Sequence, residues 1–261
     1  MNTIDYIVAW LENYIKKSGQ KGFVVGVSGG IDSAVTSALC AKTSYPVFAI
    51  SMPILQKEDQ KERALKHIKW LNKKFDNVKE INLDLTFPFK QIQKSMPKNI
   101  QNDLTLANTR SRLRMLFLYA FATSNKSLVV GTGNKIEDFG VGFFTKYGDG
   151  AVDIAPIADL TKTQVYKLGK KLKIMKQIMK AAPTDGLWDD NRSDENQLKA
   201  SYKELEWAMD FYVTKNQKLK RQKLKKRQKQ VLKIYKKLHK ENLHKIKPIP
   251  VCIIPDKFKK L

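Results

Sequence analysis

The sequence predicts an α/β protein with a doubly wound, mostly parallel sheet that is flanked by helices and followed by a C-terminal helical segment. Four short apolar runs alternate with segments whose apolar residues recur at helical spacing, a pattern typical of a parallel sheet covered on both faces. The chain has 261 residues and is 42% hydrophobic, which is enough for one sizeable core. We therefore expect a single domain over residues 1–261, with a basic helical segment over about 200–247.

The predicted elements alternate along the chain. Apolar residues at a spacing of three or four predict helices, which cover 5–17, 31–42, 58–75 and 104–123. Runs rich in Val, Ile and Phe predict buried strands, which cover 23–27, 46–51, 78–83 and 127–131. Proline, glycine and polar residues predict two loops, over 88–103 and 182–196. Long loops of this kind commonly cover active sites.

The positive charge of the chain is concentrated near the C-terminus. The net charge is +24, and residues 215–240 contain 13 Lys or Arg and no acidic residue. Such a run is compatible with contact to a polyanion. We interpret it instead as a solvated helix with apolar anchors on its inner face, so nucleic acid is not expected as a partner. The predicted anchors are Leu219, Val231, Ile234 and Leu238.

The N-terminal sequence and the two cysteines bear on the location of the protein. The N-terminal residues lack the basic and apolar regions of a signal peptide, and no apolar run approaches the ~20 residues that span a bilayer. We therefore expect a cytoplasmic protein with no membrane contact. Cys40 and Cys252 lack the spacing of a metal or redox pair and are predicted to be buried thiols.

Residues 26–33, Gly-Val-Ser-Gly-Gly-Ile-Asp-Ser, join the first predicted strand to the helix that follows it. Glycines allow a ligand to approach the backbone, and N–H groups at the start of a helix bind anions. The carboxylate of Asp32 would repel a phosphate unless Mg²⁺ lay between them. The segment is neither a Walker A loop nor a G-x-G-x-x-G dinucleotide motif. It resembles the signature of the ATP-pyrophosphatase superfamily, which implies adenylyl transfer from ATP.

A second polar, glycine-bearing stretch follows the fourth predicted strand, where ligands bind in open α/β sheets. It comprises 130–138 (Val-Gly-Thr-Gly-Asn-Lys-Ile-Glu-Asp), 143–150 (Phe-Phe-Thr-Lys-Tyr-Gly-Asp-Gly), Asp153 and 159–162. These strings resemble those of the ammonia-dependent NAD synthetases. The resemblance extends from the phosphate loop through Thr184 and resumes at His244 and Lys245. It implies an adenine nucleotide alpha-hydrolase-like fold, and amidation of deamido-NAD with ATP and ammonia as co-substrates.

The resemblance also implies roles for individual residues, carried over at matching positions. The implied ATP-binding residues are Gly26, Val27, Ser28, Gly29, Gly30, Ile31, Asp32, Ser33, Thr132, Lys162 and Thr184. Asp32 and Glu137 are the implied Mg²⁺ ligands, and Asp149 and Lys162 are the implied catalytic residues. The implied deamido-NAD-binding residues are Arg112, Lys146, Asp153, His244 and Lys245. A homodimer with the substrate bound near its interface is also implied.

The sequence departs from the family pattern at two points. The spacing from Glu137 to Gly142 is one residue longer than expected, so Asp138 could share or take the metal role. The residues before Tyr202 are Lys-Ala-Ser, where the family pattern has a glycine.

The nitrogen source and one rival activity follow from the same residues. A glutaminase needs a nucleophilic cysteine with a base, and both cysteines lie in apolar segments, so free ammonia is expected. The alternative function is that of a tRNA-modifying ATP-pyrophosphatase whose basic run 215–240 binds RNA. That alternative explains the phosphate loop but not the residues Phe-Phe-Thr-Lys-Tyr-Gly-Asp-Gly at 143–150.

Overall fold

The computed structural model describes residues 1–184, 186, 193–214 and 223–259. Its sheet contains four parallel strands in the order β3-β2-β1-β4. This confirms the predicted α/β class and the four predicted strands, within two residues at either end. The strands are β1 (Gly22–Gly26), β2 (Val47–Ser51), β3 (Val78–Asn82) and β4 (Ser127–Val129).

Helices connect and flank these strands. The first five are α1 (Thr3–Ser18), α2 (Ile31–Ala41), α3 (Glu58–Lys74), α4 (Thr86–Ser95) and α5 (Asp103–Ser124). A π-helix (Ile136–Val141) follows β4. The later helices are α6 (Lys162–Lys171), α7 (Lys176–Lys180), α8 (Asp194–Leu198), α9 (Tyr202–Val213) and α10 (Lys226–Ile246).

Both faces of the sheet are buried, as the apolar strands predict. Phe23 and Val25 of β1 point into a cluster formed with α1, α2, α3, α6 and α7, whereas Val24 points into a second cluster formed with α4 and α5. This alternation follows from the two-residue repeat of a strand. A third cluster packs α9 and α10 against the π-helix, so the C-terminal helices contact the segment that follows β4.

Two predicted loops are wrong in part. Residues 88–95 of the predicted loop 88–103 belong to α4, which begins at Thr86. Pro88 lies in the first turn of this helix, where proline removes no helical hydrogen bond. The rest of that segment is irregular except for a 3₁₀ turn over Lys98–Ile100. The predicted loop 182–196 lies partly outside the described residues, and α8 occupies its last three positions.

The cysteines and the basic helix give a mixed outcome. Cys40 is buried as predicted, but Cys252 is exposed, because the apolar segment around it follows α10 without packing against the core.

Val231 is a buried anchor of α10 as predicted, and Ile234 and Leu238 are partly buried. Leu219 lies outside the described residues.

Within the described ranges, no helix is long and apolar enough to cross a membrane. The expected cytoplasmic location and single-domain organisation stay predictions.

The strand order brings two distant loops together. β4 pairs with β1, with Phe23 opposite Leu128, while β2 lies on the other side of β1. The connections therefore reverse direction between β1 and β4. In open α/β sheets a ligand crevice forms at the carboxyl ends of strands where this reversal occurs. The segments beginning at Val27 and Val130 both start there.

Candidate active site

The phosphate loop is held by its own serines. The backbone N–H of Ser28 donates to Oγ of Ser33 at 3.1 Å, and the N–H of Gly30 donates to Oγ of Ser28 at 3.3 Å. Gly30 caps α2 without a side-chain hydrogen bond to the helix N–H groups. These donors at the first turn of α2 are thus suited to an anion.

Gly29 shows why the loop requires glycine. Its φ is +83°, in the region that L side chains rarely adopt, and a Cβ there would lie 2.7 Å from the carbonyl oxygen of Gln60 and 3.0 Å from the N of Ala64. The loop is therefore pressed against α3, which no side chain larger than hydrogen would permit.

An ion cluster lies beside the loop. Nζ of Lys162, at the start of α6, is 2.5 Å from Oδ2 of Asp32 and 3.0 Å from Oε1 of Glu137. Lys162 is only 4% exposed. Burial lowers its pKa, but the two carboxylates more than offset this and hold the pKa above its usual value. The ammonium group therefore stays charged between the two predicted metal ligands.

The two carboxylates of the cluster differ in their environments. Burial raises the pKa of Asp32 above its usual value, although Lys162 opposes this effect. Burial acts on Glu137 in the same sense, but Lys162 and the hydroxyl group of Tyr202 outweigh it and lower the pKa of Glu137. Asp32 and Glu137 come from α2 and the π-helix, on either side of the crevice between β1 and β4.

The segment between Glu137 and Gly142, whose spacing is longer than the family pattern implies, is a π-helix. A π-turn closes over one more residue than an α-turn, and the N–H of Phe143 donates to the carbonyl oxygen of Glu137 at 2.8 Å. Oδ1 of Asn134 accepts from the N–H groups of Ile136 and Glu137, at 3.1 and 3.2 Å. In this conformation the side chain of Glu137 reaches Lys162.

Asp138 has a different environment from Glu137. Its carboxyl group lies against Gly133, where a Cβ would collide with it. Burial raises its pKa well above the usual value, and the charges of Glu137 and Asp149 add to the effect. The contact with Lys162 is made by Glu137 and not by its neighbour, which favours Glu137 for the metal role.

Asp149, the other predicted catalytic residue, is fixed by three hydrogen bonds. Its Oδ1 accepts from Oγ of Ser111 at 2.6 Å and from the N of Thr145 at 3.0 Å, and its own N–H donates to Oγ of Ser111 at 2.9 Å. Burial raises its pKa above the usual value. The carboxyl group is therefore rigidly placed.

One pocket of about 250 Å³ joins these parts. Its lining includes all eight residues of the phosphate loop together with Thr132, Glu137, Asp149, Lys162 and Thr184. The structure thus brings together every residue predicted for ATP, metal or catalysis. It adds lining residues that sequence reasoning missed because no recognisable motif contains them. Gln56 lies just before α3, and the others lie on helices: Gln60, Arg63, Arg114, Tyr166 and Asp194.

The residues predicted to bind deamido-NAD are not among those that line this pocket. Four of them form a separate group at the C-terminal end of α10. Nζ of Lys146 donates to the carbonyl oxygen of His244 at 2.8 Å, and Nε of Arg112 donates to that of Lys146 at 3.2 Å. Nζ of Lys245 donates to the carbonyl oxygen of Phe144 at 2.8 Å.

Asp153 lies apart from that group. Its Oδ1 accepts from the hydroxyl of Tyr119 at 3.0 Å, and its Oδ2 accepts from the N of Val129 at 2.7 Å. Tyr119 is about two turns along α5 from Arg112. Asp153 therefore connects β4 to α5.

A family model described as NAD synthase matches residues 3–249. The chain is 37% identical over 214 residues to the NH(3)-dependent NAD(+) synthetase of Mycoplasmopsis pulmonis, which covers 81% of this chain and 78% of the relative. It is 40% identical over 205 residues to the synthetase of the same name from Saccharolobus solfataricus, covering 77% and 70% of the two chains.

Two solved structures share the fold over nearly its full length. The NMN synthetase of Francisella tularensis superposes with a TM-score of 0.82 at 32% identity, covering 97% of both chains. The NH3-dependent NAD synthetase of Campylobacter jejuni superposes with a TM-score of 0.78 at 25% identity, covering 97% of this chain and 100% of that one. By its sequence and its fold, this chain belongs to the NAD synthase family.

Proposed function

We propose that the protein adenylates the nicotinate carboxylate of deamido-NAD with ATP and then amidates it with ammonia, giving NAD, AMP and pyrophosphate. The observation that carries the proposal is the ion cluster of Asp32, Glu137 and Lys162 beside a phosphate loop in one pocket. Relatives named as NH(3)-dependent NAD(+) synthetases support this activity. They favour it over tRNA modification.

The reaction needs an activated carboxylate. Attack of ammonia on a free carboxylate would have to expel oxide from a resonance-stabilised anion, whereas an acyl-adenylate has AMP as its leaving group. In the first step a carboxylate oxygen bonds to the α-phosphorus of ATP, and the bond to the bridging oxygen breaks, releasing pyrophosphate. In the second step ammonia bonds to the acyl carbon, loses a proton, and AMP leaves.

The protein contributes positioning and charge to these steps. The loop N–H groups and the first turn of α2 hold the phosphates. Lys162 donates hydrogen bonds to oxygen atoms of the departing pyrophosphate, on which negative charge develops. A buried cation stabilises such charge effectively. Asp149 is fixed by Ser111 and Thr145. Burial lowers the pKa of Lys245, and the charge of the nearby Asp149 opposes this effect. Asp149 thus lies between the pocket and the group that is proposed to hold deamido-NAD.

The donor set fits Mg²⁺. Asp32 and Glu137 both bond the one Nζ atom of Lys162, so a carboxylate oxygen of each lies close to the other. Mg²⁺ is commonly held by one or two carboxylates together with substrate phosphates, and among the described residues no group of three or more His, Cys, Asp or Glu could hold a metal alone. When bound, the ion would neutralise phosphate charge.

A homodimer is proposed with the deamido-NAD group near its interface. Leu116 is 64% exposed and lies one turn from Arg112 on α5, and Tyr147, next to Lys146, is 59% exposed. Exposed apolar side chains beside a ligand group are typical of an interface. Light scattering should give the mass of a dimer for the protein, and that of a monomer for Leu116→Glu.

A second candidate substrate is nicotinate mononucleotide. The observation that favours it is the likeness to the NMN synthetase of Francisella tularensis, at a TM-score of 0.82. The same adenylation and amidation would then give nicotinamide mononucleotide. Residues of the phosphate loop would keep their roles, and only the group around Lys146 and His244 would bind a smaller ligand.

One assay tests both substrates. The protein is mixed with ATP, Mg²⁺ and ammonium, and with deamido-NAD or nicotinate mononucleotide at equal concentration. We expect formation of NAD with one equivalent of AMP, at a higher kcat/KM than for the mononucleotide. A preference for the mononucleotide would replace the substrate assignment. The absence of both amides, with folding intact, would contradict the proposed reaction.

A further inference from the structure

We propose that Tyr202 is a positioning residue that holds Glu137, and through it Lys162, in the geometry that the reaction requires. This inference rests on the proposed function. The phenolic oxygen of Tyr202 lies 2.5 Å from Oε1 of Glu137, the same oxygen that Lys162 bonds. Nζ of Lys162 also lies 4.7 Å from the centroid of the tyrosine ring.

The position of Tyr202 is itself fixed from several directions. It is the first residue of α9, whose capping box joins Ser201 and Glu204. Glu204 in turn makes a two-point ion pair with Arg227 of α10, at 2.7 and 2.8 Å. The N–H of Tyr202 donates to Oε1 of Glu195 at 2.9 Å. A side chain that is 5% exposed and anchored in this way presents its hydroxyl group at a set place.

The hydroxyl group also contacts Asp194. Oδ2 of Asp194 lies 3.0 Å from the phenolic oxygen, and the N–H of Asp194 donates to the carbonyl oxygen of Pro183 at 3.1 Å. Pro183 precedes Thr184, which lines the pocket. Tyr202 therefore connects Glu137 to the segment that carries a predicted ATP contact.

Packing alone does not account for this arrangement. The ring belongs to the cluster of α9, α10 and the π-helix, together with Leu205 and Tyr235, and a phenylalanine would fill the same space. The hydroxyl group lies among Glu137, Asp194 and Lys162. A hydrogen bond to a metal-binding carboxylate orients it, and losing such a bond typically weakens metal binding or activity about 10–100-fold.

The test uses Tyr202→Phe, which removes only the hydroxyl oxygen. The matched control is Tyr235→Phe, which makes the same change to a buried tyrosine of the same cluster outside the pocket lining. Calorimetry measures ATP binding with Mg²⁺ and with EDTA, and steady-state kinetics give kcat and each KM.

For Tyr202→Phe we expect a tenfold change in the effect of Mg²⁺: the Mg²⁺ concentration that gives half of the maximal gain in ATP affinity should rise about tenfold. The affinity for ATP in EDTA should be unchanged. The value of kcat should fall while the KM for deamido-NAD stays constant. Tyr235→Phe should match the unmodified protein in every reading. An unchanged Mg²⁺ requirement, or an equal loss of binding with and without Mg²⁺, would overturn the proposal.

Two further readings complete the test. If Tyr202→Phe does not fold, Tyr202→Met, which also removes the hydroxyl group and keeps an apolar side chain at this buried position, decides by the same criteria. If the unmodified protein shows no Mg²⁺-dependent ATP binding, the proposed adenylation itself fails, and that result is distinct from an effect confined to one variant.

Discussion

Nζ of Lys162 lies 2.5 Å from Oδ2 of Asp32, although 130 residues separate them in the sequence. Replacement by methionine would leave Asp32 and Glu137 buried without their cation. Removing one partner of a buried ion pair costs about 3–5 kcal/mol. We expect Lys162→Met to lower the free energy of unfolding by about that amount in EDTA, as measured by urea denaturation.

The matched control for that variant is Lys135→Met. Nζ of Lys135 pairs with Asp159 at 2.9 Å, but the side chain of Asp159 is 95% exposed, and such pairs contribute about 0–1 kcal/mol. Mg²⁺ should raise the melting temperature of Lys162→Met more than that of Lys135→Met, because it replaces the lost charge. Equal destabilisation of the two variants would argue against a structural role for the buried cation.

Asp32→Asn tests the proposed metal carboxylate. The amide keeps the shape of the side chain but removes the charge, so turnover should fall by at least about 10²-fold, the usual effect of one lost transition-state interaction. The measurement is release of pyrophosphate, with the melting temperature as a check on folding. Asp159→Asn, an exposed acid on the surface, serves as the control. Turnover retained by Asp32→Asn would exclude an essential role for its charge.

Gly29→Ala and Gly30→Ala distinguish the cost of backbone strain and steric clash at Gly29 from the cost of adding a methyl group to the same loop. At Gly29 the new Cβ meets backbone atoms of α3 and the φ of +83° is unfavourable, whereas at Gly30 the nearest atom is Oγ of Ser28 at 3.4 Å. A left-handed conformation costs an L residue about 1–2 kcal/mol before any clash. Gly29→Ala should therefore lower the free energy of unfolding by more than that, whereas Gly30→Ala should lower it by about 1 kcal/mol or less, because alanine is a poorer N-cap than glycine. The reverse order in chemical denaturation would refute the assigned geometry of the loop.

His67 predicts a pH dependence of stability. It is fully buried on α3, with Nε2 3.0 Å from Oγ of Ser37, and burial lowers its pKa from 6.5 to about 4. The unfolded chain therefore takes up a proton first as the pH falls. This contribution to stability is complete above pH 6.5 and is lost between pH 6.5 and about 4, with a slope of up to ~1.4 kcal/mol per pH unit.

The experiment compares urea denaturation from pH 7 to pH 4 for the unmodified protein and His67→Gln. The glutamine variant should show a flatter dependence in this window, because the side chain at position 67 no longer titrates. His244→Gln, at an exposed position, should keep the original slope. A slope that is the same in all three proteins would exclude His67 as the source.

The sequence predicted the strands well, because apolar runs identify buried parallel strands. The loop 26–33 begins at the end of β1, and the segment that contains Glu137 follows β4, so the strand pattern also places both near the carboxyl end of the sheet. The prediction of a loop over 88–103 rested on its polar residues and on Pro97. It is wrong for 88–95, which belong to α4, because polar residues also cover the exposed face of a surface helix.

Contacts between distant helices could not be predicted. Nothing in the sequence around Tyr202 indicates that its hydroxyl group meets Glu137, 65 residues earlier in the chain. Arg63 and Arg114 line the pocket from α3 and α5, but Arg63 is one of many basic residues on α3 and Arg114 is one of three arginines on α5. Their role depends on how helices pack around the switch in strand order, which local pattern does not encode.

The pairing of β1 with β4 has a consequence for how the protein is made. About 100 residues lie between the two strands, so this pair closes a long loop, and contacts of large sequence separation form slowly. During synthesis the phosphate loop emerges well before Lys162 and Tyr202. A nascent chain thus carries Asp32 without its counter-ion, and ATP-binding competence should appear only when the chain beyond α9 has left the ribosome.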